Sequence, residues 1–195
     1  DFCLRVAALV KAARPDLRTI HYVAPSVWAW RPGRAGKMAK VIDHVLALLP
    51  FEPPYMTAAG MTCDFVGHPV VAEPLAAPAE VASMAGDGPL ILTLPGSRRG
   101  EVTRLAPVIG ATLKRVKAVH PQARVALPTL RGVADLVREL SADWPIVPQI
   151  ITDPTAKRAA FAAADVALAA SGTVSLELAA NGCPMVIAYD MHPLT

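Results

Sequence analysis

Apolar and polar residues along the chain change period in blocks. Residues 2–13 set Phe2, Leu4, Val6, Leu9 and Val10 at near-helical spacing, with Arg5, Lys11 and Arg14 on the opposite side, and Pro15 ends the run. Thr19 to Ala24 reads as a strand closed by Pro25, Asp43 to Leu49 as a second and Cys63 to Val66 as a third. Between the last two, Phe51 to Ala59 predicts a short helix that starts through Pro53 and Pro54. Gly67 then opens a stretch rich in proline, alanine and glycine that runs to Gly88, with a short helix expected over 79–85. The alternation restarts with a strand at Leu90–Leu94, a helix over 105–119 with Pro107 in its first turn, and a strand at Arg124–Leu127. A helix over 130–140 and a weak strand at Ile146–Val147 follow, then a helix capped by Asp153 with Pro154 at its first position.

The stretch from Asp165 to Tyr189 is the most regular. An apolar run, Val166 to Ala170, stops at Ser171-Gly172-Thr173. Helix-spaced Val174, Leu176, Leu178 and Ala179 follow, Asn181-Gly182 stops them, and Met185 to Tyr189 resumes as a strand. Ser171 or Thr173 is expected to cap the helix, and Gly182 followed by Pro184 to end it. Continuous apolar strands alternating with helices predict an α/β layered fold with parallel sheets covered on both faces. The expected division is residues 1–67 as part of one Rossmann-like domain, 68–88 as linker, and 89–195 as a second.

Composition narrows the classes. In 195 residues, 53% are hydrophobic and 18% charged, which supplies a core and argues against disorder. A net charge of +3 is too mild to argue for nucleic acid, and suits an anionic ligand or an acidic membrane surface. Cys3, Cys63 and Cys183 are far apart with no CxxC pair, so neither a disulfide frame nor a zinc site is expected, in keeping with a reducing cytosol. No apolar run approaches the roughly 20 residues of a membrane-spanning helix. The chain starts without methionine and stops straight after a strand, which is expected of a piece of a longer protein.

Two loops carry candidate chemistry. Pro95-Gly96-Ser97-Arg98-Arg99-Gly100-Glu101 follows the first strand of the second half, and Ser171-Gly172-Thr173 follows a later one. In a doubly wound sheet both lie beyond strand carboxyl ends, where ligands gather. Glycine lets backbone approach a phosphate, and arginine grips one with two parallel hydrogen bonds, so Arg98 is a candidate to stabilise a departing pyrophosphate. Glu177, one turn into its helix among alanine and leucine, needs donors, which a pair of ribose hydroxyls would supply. The plainer alternative is two capped turns with a solvated arginine pair and a glutamate facing a helix dipole. Trp28 and Trp30 lie among Arg31, Arg34, Lys37 and Lys40. Trp28 is expected at a surface suited to a sugar or a lipid boundary, and Trp30 as a core filler. His68 either faces a cleft or braces Pro69. Glu101 reads as a helix-surface partner, and Asp43, Glu52 and Asp64 as caps or surface residues.

Together the stretches DFCLRV (1–6), HYVAPSVWAWRPGR (21–34), VLALLPFE (45–52), FVGHP (65–69), LPGSRRGEV (94–102) and ASGTVSLELAANGCPMVIAYDMHPLT (170–195) resemble the lipid-A-disaccharide synthases. The resemblance implies a GT-B-like α/β fold of two Rossmann-like domains, both incomplete over these residues, in an enzyme peripheral to the inner membrane. It implies an inverting transfer of 2,3-diacylglucosamine from UDP to the 6-hydroxyl of 2,3-diacylglucosamine 1-phosphate, with no cofactor beyond the UDP-linked donor. The assembly it leaves room for is a homodimer. By the same resemblance Arg98 lies near the donor phosphates, Gly96, Ser97, Ser171, Gly172 and Thr173 near the diphosphate, Glu177 at the ribose, and Asp1 near the base or acceptor. It also implies an N-terminal half-domain before this start and helices after this end, without which these residues are expected to be inactive. A UDP-sugar 2-epimerase-like enzyme and a non-catalytic nucleotide-sugar-binding module are the alternatives.

Overall fold

A computed structural model describes residues 2–190. The chain divides into two compact units, residues 1–71 and 72–195. The first holds a three-stranded parallel sheet, β1 (Ile20–Tyr22), β2 (His44–Ala47) and β3 (Thr62–Phe65), with β2 in the middle. Three helices accompany it, α1 (Phe2–Ala13), α2 (Gly33–Met38) and α3 (Pro53–Ala58). Val45 and Ala47 of β2 are fully buried, and Met38, Ile42, Met56 and Met61 close round them. Asp43 ties the unit's edge together, accepting from Lys11 Nζ at 2.7 Å and from the Thr19 N–H at 2.7 Å. Glu52 is buried, and its carboxylate takes the N–H groups of Leu48 and Leu49, just after β2, at 3.1 and 2.9 Å instead of capping α3.

The second unit is a five-stranded parallel sheet built from β4 (Leu90–Leu94), β5 (Arg124–Pro128), β6 (Gln149–Ile151), β7 (Val166–Ala170) and β8 (Met185–Ala188). Their order across the sheet is β6-β5-β4-β7-β8. The chain therefore works outward from β4 to β6, returns to the other side of β4 with β7, and works outward again. That reversal between β4 and β7 is the switch point at which doubly wound sheets bind ligands, just beyond the strand carboxyl ends.

Both faces are covered, and residue alternation shows it. Leu90, Leu92 and Leu94 pack with Phe161, Ala160 and Leu178 on one side, from α7 (Pro154–Ala163) and α8 (Val174–Ala180). Ile91, with Val125 and Leu127, packs on the other against Val102, Leu105 and Ile109 of α5 (Arg99–Val119) and Val137 of α6 (Ala134–Ser141). At the opposite end of the strands Asp165 accepts the Leu90 N–H at 2.8 Å and pins β4 beside β7. At the end of the first unit, His68 Nδ1 takes the Val70 N–H at 3.2 Å beside a single 3₁₀ turn, Pro69–Ala72, so it braces its own turn. A short helix, α4 (Pro78–Ala82), follows.

Three expectations need correction. The long helix begins at Arg99, six residues earlier than the pattern suggested, so Pro107 lies in its interior. An interior proline costs about 3 kcal/mol; here it is offset by five residues of the same helix that are buried on the sheet, Val102, Leu105, Ala106, Ile109 and Leu113. The sixth strand is Gln149–Ile151 rather than Ile146–Val147, since Pro148 cannot donate to a ladder and the pairing with β5 starts after it. Neither Ser171 nor Thr173 caps α8 with its side chain; Ser175 Oγ instead donates to the Gly172 carbonyl at 2.7 Å. The end of α8 is as expected: Gly182 adopts φ +67°, and the N–H groups of Gly182 and Cys183 reach back to the carbonyls of Ala179 and Leu178.

Candidate functional site

The β4–α5 and β7–α8 loops leave adjacent parallel strands in the same direction, so the register that pairs Leu94 with Ala169 brings them side by side. Between them lies a pocket of about 420 Å³. Gly96, Ser97, Arg98, Ser171, Gly172, Thr173 and Glu177 all line it. Seven of the eight residues expected at a site therefore meet in one hollow of the second unit. The eighth, Asp1, lies outside the described residues.

The charged side chains of the pocket have definite partners. Arg98, whose side chain is 82% exposed, donates from Nη1 to Glu101 Oε1 at 2.7 Å. The other Glu101 oxygen accepts the N–H groups of Ser97 and Arg98, at 3.1 and 3.3 Å. Glu101 is thus an ion-pair partner, as expected, and it is also a pocket residue, which its expected place on a helix surface did not suggest. Burial pushes its carboxyl up, but the Arg98 guanidinium and the two loop N–H groups outweigh that and hold its pKa below the ordinary value.

Glu177 does not depend on a ligand for its donor. Lys157 of α7 donates from Nζ to Glu177 Oε2 and also lies 5.1 Å from the centre of the Phe161 ring. Lys157 is a pocket residue that the sequence did not single out, because the pairing spans 20 residues and depends on α7 and α8 flanking the same strand. The loop after β5 also reaches the pocket with Pro128, Thr129 and Leu130. Thr129 Oγ1 is buried with no partner among the described residues. A cue exists in the letters: Leu127-Pro128 closes β5 as Leu94-Pro95 follows β4.

The pocket thus has a cationic side at Arg98, a hydroxylated backbone turn at Ser171–Thr173, and a carboxylate at Glu177 held by an ammonium. Among the described residues no three histidine, cysteine or acidic side chains cluster as a metal site.

In the first unit, Trp28 and Trp30 are both exposed, at 44% and 59%, so Trp30 is not the core filler expected of it. Trp28 meets Phe51 edge to face at 5.2 Å, and the Arg31 guanidinium lies 4.9 Å from the centre of the Trp30 ring. A ring already paired with a cation at the surface gains less from burial. Among the described residues no helix is long and apolar enough to cross a membrane.

Comparison with known proteins gives these features a context. The chain is 64% identical to a lipid-A-disaccharide synthase of Ruegeria pomeroyi, an alignment that covers all of this chain and 52% of that protein. It is 50% identical to the corresponding protein of Rhodospirillum centenum, covering all of this chain and 50% of the relative. The chain thus spans about half the length of the curated relatives it matches. Among solved structures, a UDP-GlcNAc 2-epimerase from Neisseria meningitidis bound to UDP-GlcNAc superposes with a TM-score of 0.67 at 13% identity, over 96% of this chain and 57% of that one. Anabaena Alr3699/HepE, in complex with UDP and glucose, superposes with a TM-score of 0.59 at 14% identity, over 94% of this chain and 56% of its own. At such identities the likeness establishes a shared α/β fold and nothing more. The family described as lipid-A-disaccharide synthetase matches residues 1–195 throughout, and the chain belongs to that family.

Proposed function

We propose that these residues carry the donor site of an inverting glycosyltransferase. The reaction moves 2,3-diacylglucosamine from UDP to the 6-hydroxyl of 2,3-diacylglucosamine 1-phosphate, forming the β-1,6 lipid A disaccharide precursor. The observation that carries this reading is the meeting of Arg98, the Ser171–Thr173 turn and Glu177 in one pocket where the strand order reverses. Family membership supports it, as do the ligands of the two fold relatives, UDP-GlcNAc in one and UDP with glucose in the other.

The chemistry is one displacement. The acceptor oxygen forms a bond to the anomeric carbon from the face opposite UDP, the bond to the diphosphate oxygen breaks and UDP takes the electron pair, and a base takes the hydroxyl proton. Asp1 is proposed for that base or for holding the acceptor. Arg98 answers the charge that grows on the departing diphosphate, with the Ser171–Thr173 turn close by. Glu177 accepts from ribose hydroxyls, with Lys157 holding its carboxylate in place. The proposed reaction invokes no cofactor beyond the UDP-linked donor itself. The exposed Trp28 and Trp30 beside Arg31 and Lys37 suit the anionic surface of the inner membrane, where both acylated substrates reside.

The test is incubation of the full-length protein with UDP-2,3-diacylglucosamine and the 1-phosphate acceptor, following UDP release and disaccharide by mass spectrometry. Equimolar UDP and disaccharide are expected. Epimerised sugar without disaccharide would move the protein to the 2-epimerase class, and UDP binding without turnover would make it a binding module.

A further inference from the structure

We propose that Glu101 is a positioning residue that holds the Gly96–Arg98 loop and the Arg98 guanidinium ready for a diphosphate; this rests on the donor-site reading above. A glutamate three residues into a helix commonly reaches back to one free N–H. Glu101 does more. One oxygen takes two consecutive loop N–H groups and the other takes the guanidinium, so a single carboxylate fixes both the backbone of the loop and the direction of its charged side chain.

The loop is shaped around that carboxylate. Gly96 has φ +116°, and a Cβ placed there would stand 2.6 Å from Glu101 Cβ and 2.7 Å from Oε2. Turning the Glu101 side chain away would not relieve the first of these contacts, since Cβ does not move with χ1. Only a residue without a side chain at position 96 lets the loop backbone pass this close to Glu101, and its φ is one that glycine adopts readily. Guanidinium carries five N–H donors, and the bond to Glu101 takes up one side of the fork, leaving the rest to a phosphate. A side chain as exposed as Arg98 would otherwise have to be immobilised during binding, and holding it beforehand removes that cost. The Arg98 guanidinium and the loop N–H groups hold the Glu101 pKa below its ordinary value, as a carboxylate engaged on both oxygens should show.

The experiment uses calorimetric titration of the full-length protein with UDP and, separately, with uridine, which shares the base and ribose but has no phosphate. Glu101→Ala is expected to weaken UDP binding about tenfold and leave uridine binding unchanged, while Glu101→Gln, which keeps an acceptor for the loop N–H groups, recovers part of the loss. In an Arg98→Ala background, Glu101→Ala is expected to cost about threefold or less, because its partner is gone. UDP binding that is unchanged or tighter in Glu101→Ala, equal losses for UDP and uridine, or full additivity with Arg98→Ala would each overturn the proposal. A wild-type protein that binds no UDP would remove the donor-site reading itself, and this proposal with it.

Discussion

The two loops that flank the pocket solve the same geometric problem by different means. Both leave neighbouring parallel strands, both contain a glycine and a serine, and both run into a helix on the sheet. The loop after β4 is charged and internally braced: Arg98, Glu101 and two backbone N–H groups form one network. The loop after β7 has no charged residue from Ser171 to Val174, and its acidic neighbour Glu177 is satisfied from a different helix by Lys157. The first loop therefore supplies charge and the second supplies close approach. A site divided in this way predicts that substitutions in the first weaken diphosphate binding and lower the reaction's rate, whereas those in the second change mainly affinity and shape.

The largest expected effect tests the charged side. In the full-length protein, Arg98→Ala should lower kcat about 10²- to 10³-fold, the usual scale for losing a preorganised donor to a developing anion. Its melting temperature should hardly change, since exposed ion pairs contribute about 1 kcal/mol or less. A near-normal rate would put the charge elsewhere. Next come matched glycine substitutions. Gly96→Ala meets Glu101 at a strained φ and should cost about 1–3 kcal/mol of stability along with UDP affinity. At Gly172 an added Cβ meets nothing within 4 Å, so Gly172→Val should melt like wild type while its side chain, projecting into the pocket, lowers UDP affinity. Equal melting behaviour of the two variants would erase the distinction between a braced loop and an open one.

Smaller effects are expected at the second loop's carboxylate. Glu177→Gln should weaken UDP and uridine alike by about tenfold, and Lys157→Met by about threefold, as hydrogen bonds to charged groups contribute about 1.5–3 kcal/mol and an indirect partner less. Binding measured with both ligands separates this pair from Arg98, whose loss should affect UDP alone. The smallest effect concerns pH. Because the Glu101 pKa is depressed on folding, its contribution is complete above its unfolded value, about 4.3, and is lost as pH falls through the lower folded value. Melting curves of Glu101→Gln should therefore match wild type in slope at neutral pH and be flatter below about pH 4.3.

Much of this was legible in the letters, for definite reasons. Val166 to Ala170 between turn residues pointed to a covered strand, and Ser171-Gly172-Thr173 to a loop beyond its carboxyl end, so both loops and Glu177 were expected at one hollow, which they line. What was hidden depends on tertiary pairing. Lys157 sits in an alanine-rich helix with no local mark, and its role arises when α7 and α8 flank one strand. The brace at Glu101 was hidden because Pro107 moved the expected helix start to residue 105, which took Glu101 out of the first turn, where a glutamate reaches back to loop N–H groups. Trp30 was misread because a tryptophan beside a short helix is as often core as surface, and only the Arg31 guanidinium near its ring separates the two.

The central claim is that Arg98, the Ser171–Thr173 turn and Glu177 hold one nucleoside diphosphate. A crystal structure of the full-length protein with UDP tests it most directly. The account predicts the diphosphate within hydrogen-bond reach of the Arg98 guanidinium and the Ser171–Thr173 turn, with ribose hydroxyls on Glu177. UDP seated elsewhere, or bound here with Arg98 turned away to solvent, would contradict it.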